Sequence, residues 1–199
     1  MKISTAAAVF AAVTLGSTLA GAQGVPDFAE DVKRVAEGEL QTWITDPVII
    51  YSLREQNELN ASMTPEQIAE LDATWIAEKG RGPMIYDLLD RQASVIVRDR
   101  RELSNGVITE IIIMDRFGLN VGISDPTSDF YQGDEAKYQD TFLKGPGAVH
   151  VSEVEFDDST QKYQTQVSMT VTDPDSGQPI GAVTFGIDLD ALKAQRPTQ

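Results

Sequence analysis

The stretch Val107-Ile108-Thr109-Glu110-Ile111-Ile112-Ile113-Met114-Asp115-Arg116-Phe117-Gly118-Leu119-Asn120-Val121-Gly122 decides how this 199-residue chain is read. From Val107 to Met114 the run is β-branched and nearly continuous, the pattern of a strand buried on both faces. Asp115-Arg116-Phe117-Gly118 turns the chain back into a second strand from Leu119 to Ser124. A polar, aromatic and partly helical excursion follows from Asp125 to Gly147. His150 to Phe156, Tyr163 to Thr172 and Ile180 to Ile187 then alternate as three further antiparallel strands. Their connections, Asp157-Asp158-Ser159-Thr160 and Asp173-Pro174-Asp175-Ser176-Gly177, have strong turn chemistry. The expectation is an α+β fold with a five-stranded antiparallel sheet behind a long N-terminal helix.

Upstream of this sheet the periodicity is helical. From Asp27 through Asn57, Phe28, Val32, Val35, Leu40, Trp43 and Ile44 recur at helical spacing, with Glu30 and Asp31 near the start, where the helix dipole favours acids. Asp46-Pro47 should kink or restart that helix. Thr64 as N-cap, Pro65 at the first position and Gln67 as capping-box partner start a second helix, which carries Ile68, Leu71, Trp75 and Ile76 and stops near Gly80-Arg81-Gly82-Pro83. A third runs from Met84 toward Arg101 with Leu88, Leu89 and Val95 inward. Arg98, Arg100 and Arg101 suit its C-terminal end, with ligand binding as the other role open to them.

Lys2, the apolar stretch Ala6 to Ala20 and the small residues Ala20-Gly21-Ala22 form an export signal over residues 1–22. The stretch is short and small-residued beside the about 20 apolar residues of a membrane span. A buried N-terminal helix is the alternative. Residues 23–199 read as one domain, mainly helical over 23–104 and sheet-containing over 105–190. The expected location is the periplasm or the cell exterior, with no membrane insertion after cleavage. With no cysteine there is neither a lipid anchor nor a disulfide, so stability rests on one packed core. The net charge is -15, and it becomes -16 once the signal and its one lysine are removed. So acidic a chain is a poor partner for nucleic acid or anionic membranes.

Catalytic chemistry has little to stand on. His150 is the sole histidine, there is no cysteine, and no nucleophile elbow, phosphate loop or dinucleotide glycine pattern appears. Paired carboxylates could hydrolyse a glycoside, but adjacent acids arise by chance in this composition. The loops at Asp157 and Asp173 offer hard oxygens without the alternating pattern of a calcium-binding EF-hand. The reading is therefore no enzyme, no cofactor and no metal.

Asp115-Arg116-Phe117-Gly118-Leu119-Asn120-Val121-Gly122 resembles the Asp-x-x-Gly hairpin of the Cache superfamily, the PAS-like extracytoplasmic sensor domains also called PDC sensors. The Asp173 to Gly177 turn, with Ile180-Gly181-Ala182-Val183 and Gly186-Ile187-Asp188-Leu189, resembles that family's final hairpin. The resemblance covers nearly all of residues 23–199 and rests on order and spacing. It implies a small-molecule pocket between the sheet and the excursion, with Tyr131, Tyr138 and Lys137 on one wall and Asp157, Gln166, Ser168 and Asp188 on the other. The arginine-aromatic pair that holds a carboxylate in the amino-acid-binding members is absent, and Lys137 is a less selective substitute. An amino acid, a carboxylate or an amine stays open as ligand. Each residue also has a plainer reading: core packing for the tyrosines, strand-end turns or helix caps for the two aspartates, and a solvated helix face for Lys137.

Cache domains usually sit between two membrane helices, whereas here the sequence closes with a short polar tail after Leu192. The expectation is a free-standing single-domain form that presents a bound metabolite, or its own bound conformation, to a membrane-bound receptor or transporter. A homodimer through Phe28, Val32 and Val35 of the N-terminal helix belongs to the same expectation. The competing class is a ligand-free protein-protein interaction module, in which apolar side chains fill the pocket.

Overall fold

The computed structural model describes residues 28–157 and 161–195, so the export signal expected over 1–22 lies outside the described residues. Helix α1 (Ala29–Val35) passes through a π-helical turn (Ala36–Leu40) into α2 (Gln41–Trp43). Asp46-Pro47 is a restart: the Asp46 carboxylate accepts from Val48 N at 2.7 Å and opens α3 (Pro47–Leu59). Thr64 and Gln67 form the expected capping box on α4 (Pro65–Glu78). The single helix expected from Met84 to Arg101 is instead two, α5 (Pro83–Asp90) and α6 (Gln92–Leu103). The break falls at Arg91, which is extended (φ -67°, ψ 149°) and sends its guanidinium to Gln56 and Asp87. Arg98, Arg100 and Arg101 reach the Leu89 carbonyl, Asp46 and Asp125 respectively, which joins α6 to its neighbours.

Strands β1 (Ile108–Asp115) and β2 (Asn120–Ile123) form the first hairpin. After the excursion, with its short helix α7 (Ala136–Gln139) and the 3-10 turn Phe142–Lys144, come β3 (Val149–Val151), β4 (Glu155–Asp157), β5 (Lys162–Thr172), β6 (Pro179–Asp188) and α8 (Leu189–Ala194). The sheet is antiparallel in the order β2-β1-β6-β5-β3, with β4 also on the outer edge of β5. The strand expected from His150 to Phe156 is thus interrupted. Ser152 N still donates to the Gln166 carbonyl, but Gln166 N donates to the Ser152 hydroxyl, and the Ser152 carbonyl accepts from the Thr165 hydroxyl in place of the return ladder bond.

The continuous β1 run is explained by burial on both faces. Ile111 and Ile113 pack with Phe28, Val32, Leu40, Leu53, Val97, Val167, Val183 and Phe185 under the N-terminal helices. Ile112 and Met114 pack on the opposite face with Trp75, Ile85, Leu88, Leu119, Phe130, Tyr138 and Ala182. Phe28 and Val32 are therefore spent inside the chain, and a dimer through them would require α1 to leave its own sheet.

Two carboxylates tie α3 to the two hairpins. Asp115 is fully buried. Its Oδ1 accepts from Phe117 N (2.8 Å) and Leu119 N (3.0 Å), and its Oδ2 from Gln56 Nε2 (3.0 Å) and Asn60 Nδ2 (2.8 Å). Asn57 accepts from Arg116 N and donates to the Ile180 carbonyl. Gly118 closes the turn at φ 78°, where a Cβ would lie 2.5 Å from Gly133 Cα. At the other hairpin Arg54 meets Asp173 with two parallel bonds of 2.6 and 2.9 Å. The Arg54 guanidinium, with the Ser176 N–H, holds the Asp173 carboxyl well below the usual carboxylate range.

Asp115→Ala removes the acceptor shared by four donors, of which Gln56 Nε2 keeps the Asn120 carbonyl, and urea unfolding should show a loss of about 2 kcal/mol or more; a loss within about 0.5 kcal/mol would mean that the carboxylate does not organise the turn. Because the Asp173 carboxyl titrates lower in the folded than in the unfolded chain, its contribution is present above about pH 4 and falls away as the pH drops below that. Melting curves from pH 6 downward should accordingly show Asp173→Asn less acid-sensitive than the wild type below pH 4, with parallel curves as the contrary outcome.

Candidate functional site

On the sheet face away from the N-terminal helices, side chains fall into cross-strand rows. Register aligns Met114 with Ala182 and Ala182 with Thr170; the next row aligns Ile112, Thr184, Ser168 and His150; the one after aligns Glu110, Gly186 and Gln166. The β5–β6 half of this face is therefore small and polar: Ser168, Thr170, Ala182, Thr184 and Gly186. Alternate residues along a strand lie about 7 Å apart, so Gln166, Ser168 and Thr170 make a strip about 14 Å long. Helix α7 and the 3-10 turn pack over it.

This cover is held by a small set of hydrogen bonds. Asp72 of α4 accepts from Phe130 N (2.8 Å) and Tyr131 N (2.9 Å), and Trp75 Nε1 donates to the Thr127 carbonyl at 2.9 Å. The Asn120 amide donates to Thr127 and to the Asp129 carbonyl. The Tyr138 hydroxyl donates to the Arg116 carbonyl at 2.6 Å, and burial pushes that phenol well above its ordinary range. Two ring pairs complete the cover, Trp75–Phe130 with centroids 5.4 Å apart and Tyr138–Phe142 at 5.2 Å.

The seven residues expected to line a pocket do not converge on one cavity. Ser168 is fully buried on the strip and shares a 2.9 Å hydrogen bond with Thr184. Tyr138 lies in the cover above this half of the sheet. Tyr131 packs its ring over Gly133, where a Cβ would lie 2.5 Å from that ring. Lys137 is paired with Glu135 at 3.0 Å and donates to Gln132 Oε1 at 3.2 Å. Gln166 donates to Glu110 Oε1 at 2.8 Å. Asp188 caps α8 through Ala191 N and pairs with Lys162, whose ammonium it raises above the ordinary lysine range. Asp157 closes β4 opposite Lys162.

Four concavities are lined by other residues for the most part. A polar cleft of about 210 Å³ holds Glu110, Glu153, Glu155, Gln164 and Gln166, and Gln166 is the one expected residue that reaches any of the four. An apolar groove of about 490 Å³ runs between α1 and β3, past Phe28, Val32, Val149 and Val151. Another of about 610 Å³ lies between α3 and the start of α6. The last, of about 100 Å³, sits beside Ile44 and Gly147.

Thr170 was not among the expected residues. It is 4% exposed, and its hydroxyl has no partner. Asn120 Oδ1, also buried without a partner, sits opposite Met114 at the far end of the same row. The alternation of Gln164, Gln166, Ser168, Thr170 and Thr172 is visible in the sequence, but period two alone reads as a solvated face. Only the cover turns it inward.

No protein-family model and no curated protein sequence matches the chain. Among solved structures it is similar to the ligand-binding domain of the Campylobacter jejuni chemoreceptor Tlp3 in complex with 4-methylisoleucine. That match has TM-score 0.38 and 16% identity, covering 78% of this chain and 67% of that one. It is also similar to the sensor domain of the V. cholerae histidine kinase DctB, at TM-score 0.37 and 12% identity over 85% of this chain and 58% of that one. For the E. coli DcuS sensor domain the values are 0.35 and 18%, over 65% and 92%. The sheet order, with the N-terminal helices on one face and the excursion on the other, is that of an α+β fold built on one antiparallel sheet. These likenesses are partial and concern the fold alone, and the ligand carried by Tlp3 is said of Tlp3.

In this fold the buried, unpaired Thr170 hydroxyl is a local cost. Thr170→Val removes it at nearly constant volume and should raise stability by about 1 kcal/mol or more in urea unfolding. A loss of stability instead would mean that the hydroxyl is satisfied in solution.

Proposed function

We propose that the chain is an extracytoplasmic binding module of the sensor kind, exported by residues 1–22, that takes a small polar metabolite between the β5–β6 strip and the cover formed by residues 136–144. Its bound conformation is then presented to a membrane-bound receptor or transporter. The observation that supports this reading is the strip itself. Beside the apolar Ile112, Met114 and Ala182, this face carries the buried hydroxyls of Ser168, Thr170 and Thr184, and one of these is unpaired. Packing alone would favour aliphatic side chains there, whereas a polar ligand would use the hydroxyls. For such a ligand to enter, the stacked Tyr138–Phe142 pair must move, so binding is coupled to displacement of the 136–144 segment. That coupling is the step a partner could read.

The second reading is a ligand-free interaction module, and the two aromatic pairs that fill the cover favour it. Ligand-induced stabilisation separates the two. A ligand present at about a hundred times its dissociation constant adds about 2.7 kcal/mol, or a rise of about 5–10 °C for a domain of this size. A melting-point screen against amino acids, carboxylic acids, amines and purines should yield such a rise. Thr170→Val should diminish it although the unliganded variant melts higher. A flat screen across those classes would favour the interaction module, and a rise unchanged in Thr170→Val would remove the strip as the seat.

A further inference from the structure

We infer that the chain self-associates through its outer sheet edge, two copies pairing β3 with β3 about a two-fold axis at His150 so that their sheets join. β3 ends the sheet order, and two backbone bonds fix which of its groups face outward. Thr170 N donates to the Ala148 carbonyl and Ser152 N to the Gln166 carbonyl, so Ala148, His150 and Ser152 turn their backbone toward β5. Val149 and Val151 alternate with them, and their N–H and C=O groups point away from the sheet, without a partner among the described residues. The usual means of blunting such an edge are missing, since Ala148 to Ser152 holds neither lysine nor proline. The two valine side chains are 49% and 48% exposed and border the apolar groove beside α1.

A second copy of the chain satisfies this edge completely. With His150 of each copy opposite the other, Val149 of one meets Val151 of the other as a hydrogen-bonded pair, and every outward N–H and C=O of both valines finds a partner. Any other register leaves at least one valine facing the turns outside β3. Directly opposite residues share a face, so the valines of both copies form one apolar seam on the α1 side. The same two-fold reverses the order of Lys33 and Glu37, which line the groove one helical turn apart, exposed and without an ion-pair partner among the described residues. Lys33 of each copy is thereby set toward Glu37 of the other. An unrelated strand would pair the backbone but has no reason to match this charge order. Phe28 and Val32 stay inside their own chain, which separates this dimer from one through the N-terminal helix. The net charge of -15 opposes association at long range, and salt at about 0.15 M screens that repulsion beyond about 8 Å.

Because the chain has no cysteine, His150→Cys introduces a single thiol at the axis. Residues opposite each other in a non-hydrogen-bonded pair stand about 4.5 Å apart at Cα, within disulfide reach. Mild oxidation of this variant should give a disulfide-linked dimer on a non-reducing gel under conditions where Leu59→Cys, exposed on α3, stays monomeric. Sedimentation velocity of the wild type from about 1 to 200 µM should show monomer passing into dimer. Val151→Pro, whose missing N–H faces outward and leaves the ladder to β5 intact, should sediment as monomer with an unchanged circular dichroism spectrum. Lys33→Glu should weaken the dimer by about two- to fivefold, and adding Glu37→Lys should restore it. Monomer throughout, with no cross-link in His150→Cys, would overturn the inference. A dimer that survives Val151→Pro and leaves His150→Cys uncrosslinked would place the interface elsewhere and overturn it equally. Each of these measurements is made without ligand, so its failure leaves the binding proposal in place.

Discussion

Asp115 is a fully buried carboxylate with four donors and no cation among them, and much of the architecture depends on it. A charge in that position is tolerated only when its oxygens are saturated by hydrogen bonds. Two of those bonds come from the β1–β2 turn and two from Gln56 and Asn60 on α3. The first hairpin and the helix that packs against the sheet are therefore fixed by a single side chain. Asn57, one position on from Gln56, extends the same contact to Arg116 N and the Ile180 carbonyl. With the Arg54–Asp173 pair at the second hairpin, α3 becomes the spine against which both turns are set.

That spine makes the two faces of the sheet unequal. The face under the N-terminal helices is apolar and densely filled, and it includes Phe28 and Val32, which α1 lays onto it. The other face is apolar near β1 and β2 but small and hydroxylated across β5 and β6. Over this second half the chain has placed a short helix and a 3-10 turn, held by side-chain hydrogen bonds and by the stacked Tyr138–Phe142 pair. A buried hydroxyl without a partner is the kind of cost that a binding site retains. The apolar groove between α1 and the exposed Val149 and Val151 is the principal rival surface, and its chemistry suits a protein better than a polar metabolite.

The fold was largely legible because its signals are local. β-Branched continuity marked β1, Asp-rich turns marked the hairpins, and the Thr64/Gln67 box marked α4 to the residue. Two departures have identifiable causes: at Arg91 the chain is extended and its guanidinium goes to Gln56 of α3 and to Asp87 four residues back, and Ser152 interrupts an edge strand through its own hydroxyl and carbonyl. The site was far less legible. Ser168 and Tyr138 were named and do lie on the covered face, but Lys137 and Asp188 are committed to Glu135 and to Lys162 with the α8 cap. Thr170 and Thr184, on which the proposed seat rests, do not stand out in the sequence because period-two polarity looks the same whether the face meets water or a cover formed elsewhere in the chain.

The central claim is that the covered β5–β6 face, and not the α1–β3 groove, is the binding face. An amide-resolved NMR titration with the best hit of the melting-point screen tests it most directly. The account predicts shift changes concentrated at Ser168, Thr170, Thr184 and the 136–144 segment. Changes confined to Val32, Val149 and Val151, with the strip silent, would contradict it.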